Sequence, residues 1–291
     1  QGETPVNGPH QGALVDTPGG EDWFLHFQDM GAYGRILHLQ PVRWHDGWPV
    51  IGQEKEGRDW GEPFLFHKKP GLPRKEPAAL EASDNFSSSS LALQWQWLGN
   101  PGGDFCSLTA RPGFLRLYSR NPSGKTPAVL WNCANVLTQK ILCPSFTMET
   151  KMELEGLKEN ERAGVLVIGG GYMWLGVEKK GESLRVVCGR SAEENGAVRE
   201  SVLEEHALPA EGPAVFFRVR VRKEETAIAD FAYGTDERHE TEIPGIFFLS
   251  AHTWVGAKTG LFAVADERGR DCGHADFSFV RYTPHEPFMP A

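Results

Sequence analysis

Val215-Phe216-Phe217-Arg218-Val219-Arg220-Val221 places an apolar side chain at every second position, the period of a β-strand whose two faces meet different surroundings. Phe114-Leu115-Arg116-Leu117-Tyr118 and Trp23-Phe24-Leu25-His26-Phe27 repeat the alternation. The 33 Gly and 20 Pro recur at short intervals and cut most apolar runs to strand length. No segment sustains an i, i+3, i+4 pattern long enough for a substantial helix. The chain therefore reads as all-β.

Working outward from Val215, about a dozen strand candidates fill residues 81 to 283. They include Leu91 to Trp97, Phe146 to Leu154, Ala163 to Ile168, Tyr172 to Glu178, Leu184 to Cys188, Ala227 to Tyr233, Gly260 to Ala265 and Ala275 to Tyr282. Short strands with turn signals between them predict a two-sheet jelly-roll β-sandwich. Gly169-Gly170-Gly171 follows a strand, but no GK[ST] comes after it, so it reads as a hairpin turn and not a phosphate loop. Upstream, Lys68 to Pro77 combines charge with three prolines and has no periodicity, the signature of an extended linker. Before it lie Gly12 to Val15, Trp23 to Gln28, Arg35 to Pro41 and Trp48 to Gly52, about one propeller blade of strands. The expected division is a blade at 1–67, a linker at 68–80 and a sandwich at 81–285.

Composition narrows the function. A net charge of -9 with scattered basic residues argues against a nucleic-acid partner, and no apolar run approaches the ~20 residues of a membrane helix. Cys106, Cys133, Cys143, Cys188 and Cys272 are odd in number and lack a CxxC pair, so they read as buried thiols. That usage suits a reducing compartment slightly better than an oxidising one, and leaves a cytoplasmic and a periplasmic or secreted location open. No signal peptide is seen in this chain, and its start at Gln1 reads as the middle of a longer polypeptide.

HQGALVDT at His10 to Thr17, followed by YGRILHLQPVRWHDGWPVIG at Tyr33 to Gly52, resembles the last blade of glycoside hydrolase family 43, the β-xylosidase and α-L-arabinofuranosidase family. LQWQW at Leu93 to Trp97, ERAG at Glu161 to Gly164, GAKTGLF at Gly256 to Phe262 and ADFSFVRY at Ala275 to Tyr282 resemble its concanavalin A-like C-terminal module. The resemblance implies the terminal blade of a five-bladed β-propeller followed by a concanavalin A-like β-sandwich. It also implies hydrolysis of xylosyl or arabinofuranosyl residues of plant hemicellulose with inversion. Inversion needs two carboxyl groups roughly 6.5 to 9.5 Å apart, and in the family these come from earlier sequence, so no catalytic residue is assigned in this chain. Asp16, Asp22, Asp29 and Asp46 sit in turn-like contexts and read as turn and surface carboxylates.

By the same resemblance His10 aligns with the histidine that helps to hold a calcium at the propeller centre, water completing the shell of this oxygen-seeking cation. Arg35 aligns with an arginine that points into the sugar pocket; its permanent charge and five donors suit sugar hydroxyls and a nearby acid. Gly34 beside it permits a tight backbone. Phe27 and Gln28 are expected to line a sugar subsite. The expected partners are a xylo- or arabino-oligosaccharide and a separate N-terminal propeller polypeptide of the same enzyme.

Other residues read as structural. Trp23, Trp44 and Trp48 are expected as core anchors, as are Trp95 and Trp97, which alternate along one strand. His26, His38 and His45 lack zinc spacing. Asp84 and Asp276 stand where some sandwiches bind calcium, and surface placement is the expectation. Glu193-Glu194 and Glu204-Glu205 read as solvated loop and strand-end charges. The competing functional reading is a non-catalytic carbohydrate-binding sandwich with an exposed aromatic face, among them Trp131, Trp174 and Trp254.

Overall fold

The computed structural model describes residues 4–6, 8, 10–73, 80–194, 197–208, 214–266 and 272–286. The chain divides into two compact units, Gln1–Leu80 and Glu81–Ala291. Of the expected linker, residues 68–73 and Leu80 are described, and Gly71 N–H donates to Glu21 within the first unit at 2.7 Å. Residues 74–79 lie outside the described residues.

The first unit is a four-stranded antiparallel sheet in the order β1-β2-β3-β4, with β1 Gly12–Asp16, β2 Asp22–Asp29, β3 Arg35–His45 and β4 Trp48–Ile51. Asp46, at φ 49°, lies in the tight turn that joins β3 to β4. Trp23 is buried as expected, but Trp44 and Trp48 are 49% and 77% exposed and so are not core anchors in this chain. Both lie in the β3–β4 ladder beside its turn, with Trp44 opposite Pro49 and Trp48 opposite His45, past the last β2–β3 pair at Asp22 and Val42. Trp44 Nε1 donates to Asp22 at 2.8 Å.

The second unit carries β5 Gln96–Trp97, β6 Cys106–Ser107, β7 Leu115–Tyr118, β8 Leu137–Lys140, β9 Ser145–Glu153, β10 Glu161–Ile168, β11 Tyr172–Lys180, β12 Ser183–Glu194, β13 Ala197–Ala207, β14 Ala214–Lys223, β15 Ala227–Gly234, β16 Thr241–Glu242, β17 Phe247–Phe248, β18 Lys258–Ala265 and β19 His274–Glu286. They form a seven-stranded sheet, β13-β12-β11-β10-β18-β8-β5, and an eight-stranded sheet, β16-β15-β14-β9-β19-β7-β6 with β17 on β15. The alternation of β14 buries Val215, Phe217, Val219 and Val221 between the sheets, with Phe146, Met148 and Met152 of the neighbouring β9.

β10 is buried at every position. Its second face, with Tyr172, Trp174, Phe262 and Val264, packs against Ala128, Leu130, Cys133 and Val136 in the segment that crosses the sheet. Cover on both sides is why Val165 to Ile168 is continuously apolar where an open antiparallel strand would alternate.

Three readings change. Leu91 to Trp97 is a strand only at Gln96–Trp97, and Trp95 precedes it, buried against Phe86 with its indole N–H donated to Asp84 at 2.8 Å. Glu204 and Glu205 lie within β13, opposite Cys188 and Val187, and not at a strand end; Arg185 on β12 pairs with Glu205. Asp276 is buried, not on the surface, because Arg116 holds both carboxylate oxygens at 2.8 Å.

Gly169-Gly170-Gly171 closes the β10–β11 hairpin as expected. Its glycines also let another loop approach: a Cβ at Gly169 would lie 1.9 Å from Ser250 O, and Gly170 N–H donates to that oxygen at 3.1 Å. Among the described residues, no helix is long and apolar enough to cross a membrane.

Candidate functional site

Cross-strand pairing assembles the candidate site in the first unit. β2 and β3 place Phe27 opposite Leu37, Gln28 opposite Ile36 and Asp29 opposite Arg35. His10, just before β1, donates its backbone N–H to Phe27 O at 3.0 Å. Its imidazole stacks on the Phe27 ring, with centroids 5.5 Å apart and planes within 8°. The Arg35 guanidinium carbon lies 4.4 Å from the centre of the same ring. Phe27 is buried while His10 and Arg35 are exposed, so an apolar ring supports two polar groups at the surface.

The connection between β2 and β3 sets the arginine. Met30 N–H donates to Gly34 O at 2.8 Å, and Asp29 accepts the Gly31 N–H at 2.9 Å. Gly34 adopts φ 78° and ψ -147°, a conformation closed to residues with a Cβ, and turns the chain directly into Arg35. Gln28 is half-buried and donates its amide to Pro5 O at 3.1 Å, which leaves its side-chain oxygen as the acceptor it can offer a ligand.

The surroundings of His10 do not by themselves fit calcium. Among the described residues no three His, Cys, Asp or Glu side chains gather as a metal site. The Phe27 ring packs on His10 and the Arg35 guanidinium on Phe27, whereas calcium takes six to eight oxygens. Toward such an ion this site offers the His10 imidazole, and oxygen ligands would complete the shell.

Three features were not legible beforehand. His26 and His38 are directly opposed across β2 and β3, with ring centroids 5.4 Å apart. Burial pushes both imidazoles below their ordinary pKa, and the charge of His26 lowers His38 further. In the sandwich, Arg162 of the ERAG motif pairs with Glu200 at 2.6 Å, donates to Ala128 O and lies 4.5 Å over Trp174. Tyr172 also donates to Glu200, and Glu161 of the same motif accepts the Lys158 N–H at 2.9 Å. The motif thus clamps loops onto a sheet. The third feature is an apolar surface: Leu25, Leu37 and Leu39 share one face of the four-stranded sheet and are 38%, 65% and 41% exposed. Alternation identifies that face but not how much of it the chain leaves uncovered.

A blade-like meander and a two-sheet concanavalin A-like sandwich define the C-terminal architecture of family 43 glycoside hydrolases. The chain belongs to the family of β-xylosidase C-terminal concanavalin A-like domains, whose model matches residues 83–283. It is 34% identical to a protein named putative β-xylosidase from Xylanibacter ruminicola, over 89% of this chain and 45% of that protein. It is 30% identical to a β-xylosidase of Formosa agariphila, over 94% of this chain and 47% of that one. An engineered family 43 hydrolase that displays both endo-xylanase and exo-arabinofuranosidase activity shares the fold with a TM-score of 0.80 at 23% identity, over 97% of this chain and 56% of that chain. The chain therefore spans about half the length of the curated relatives it matches.

Proposed function

We propose that this chain is the C-terminal part of a glycoside hydrolase that cleaves xylosyl or arabinofuranosyl residues from plant hemicellulose with inversion. In this reading the acid and base carboxylates are supplied by propeller sequence outside the chain, in the same polypeptide or a separate one. The observation that supports it is the gathering of His10, Phe27 and Arg35 at one place on the four-stranded sheet. Arg35 brings a fork of N–H donors that suits sugar hydroxyls. Phe27 fixes the position of both polar groups, and Gln28 offers an amide oxygen at the edge of the subsite.

The exposed Leu25, Leu37 and Leu39 support the second half of the reading. A propeller blade is covered by its neighbours, and a face of this kind left in water is an interaction surface. Chromogenic xylopyranoside and arabinofuranoside assays test the proposal, run on the chain alone and with the remaining propeller supplied. Hydrolysis that needs the complement is expected. Full activity of the chain alone, or a complemented enzyme inert on both substrates, overturns it.

A further inference from the structure

The eight-stranded sheet turns toward water a face built unlike the rest of the sandwich. Along β9 the half-buried side chains are Thr147, Glu149, Lys151 and Glu153. Register sets Glu153 opposite Asp276, Lys151 between Phe216 and Phe279, and Glu149 between Arg218 and Arg281. A β-bulge between Phe277 and Phe279 makes this possible: one extra residue restores outward alternation, so that Asp276, Phe279 and Arg281 share a face. Successive rows along the strand are about 7 Å apart.

Two depressions lie on these rows. The larger, about 450 Å³, is lined by Arg111, Arg116, Glu153, Glu155, His274 and Asp276, a volume in the range of small-molecule sites. Asp276, buried at its base, fixes Arg116 through two bonds of 2.8 Å and Arg111 through one of 3.3 Å. Arg111 is held a second time, 3.7 Å over the Phe114 ring. Most N–H donors of both guanidinium groups are not used by Asp276. The second depression, about 110 Å³, includes Phe216, Phe279, Arg218, Arg281 and Glu149 in its lining. The Lys151–Glu153 pair, at 3.0 Å, joins the rows of the two.

From this arrangement we infer a second carbohydrate site, in which a neutral oligosaccharide lies along β9 with one end in the Asp276 cavity and a ring over Phe216 or Phe279. Cations and carboxylates alternate along the rows, so a polyanion or polycation meets repulsion at every other step. The two phenyl groups are half-buried and separated by Lys151, too small an apolar area for a protein interface core. Vicinal hydroxyls, each donor and acceptor, match adjacent guanidinium and carboxylate groups, and sugar C–H faces match phenyl rings. The choice of pentose-based sugars rests on the function proposed above.

Isothermal titration calorimetry of the full 291-residue chain with xylohexaose and with arabinohexaose tests the site. Binding of at least one sugar is expected, weakened tenfold or more by Phe216→Ala and by Arg111→Ala and unchanged by Val202→Ala, at an exposed position on the other sheet. Glu155→Ala, at an exposed position, provides a further variant should either of the first two melt early, with the same loss expected. No heat with either sugar up to about 10 mM, equal affinity across Phe216→Ala, Arg111→Ala and the parent chain, or an equal loss with Val202→Ala overturns the inference. Hydrolysis is not the readout, so this outcome and that of the chromogenic assays are separable.

Discussion

The Arg35 guanidinium carbon lies 4.4 Å from the centre of the Phe27 ring, and the imidazole of His10 stacks on that same ring. One buried phenyl group therefore orients two surface polar groups that come from opposite sides of β2. A cation over an aromatic face contributes about 0.5–1 kcal/mol when exposed, enough to bias a side-chain rotamer but not to hold a sheet together.

Phe27 thus carries both fold and site. Phe27→Ala is expected to cost about 3–5 kcal/mol in the first unit, read by thermal or urea unfolding. Phe27→Leu should lose far less stability while raising KM of the complemented enzyme more than it lowers kcat, because Leu fills space but offers neither the His10 imidazole nor the Arg35 guanidinium a stacking face.

Arg35→Lys keeps the charge and loses the planar fork. KM of the complemented enzyme should rise about tenfold, or about 1.4 kcal/mol, with the melting temperature nearly unchanged. Steady-state kinetics on a chromogenic xyloside provide the check, and an unchanged KM would remove Arg35 from the subsite.

Stability of the first unit should fall on mild acidification. His26 and His38 have folded pKa values below the ordinary one, so the unfolded chain binds protons first and favours unfolding. The stabilisation is whole above the unfolded pKa of about 6.5 and is lost as pH drops from there toward the folded values. Melts at a series of pH values between 8 and 5 should show the decline, and His26→Gln with His38→Gln should flatten it.

In the sandwich, the Arg162–Glu200 pair is nearly enclosed, with side chains 9% and 13% exposed. Glu200→Ala strands a buried guanidinium and should cost about 3–5 kcal/mol. Arg162→Met combined with Glu200→Leu should recover only part of that loss in urea unfolding, since no charge is then left unpaired but Tyr172 Oη, Leu130 N–H and Ala128 O lose their partners.

Gly169→Ala drives a methyl group to within 1.9 Å of Ser250 O. Overpacking of this kind costs about 1–3 kcal/mol. The melting temperature should drop measurably, whereas alanine at Gly103, where a Cβ meets nothing within 4 Å, should be neutral.

The alternation in Val215 to Val221 and its counterparts determined the strands, because period two commits a segment to one covered face whatever its neighbours are. Glycine punctuation marked turns such as Gly169-Gly170-Gly171 between β10 and β11, and the motif resemblance pointed to His10, Phe27, Gln28 and Arg35. Partners were another matter. Burial of Asp276 depends on Arg116, 160 residues away in sequence, and enclosure of β10 depends on the segment from Ala128 to Val136. Exposure of Trp44 and Trp48 depends on their place beside the β3–β4 turn, past the last β2–β3 pair. Local periodicity reports which side of a strand is apolar; only long-range packing decides what meets that side, and with it every pKa, ion pair and surface on which the chemistry rests.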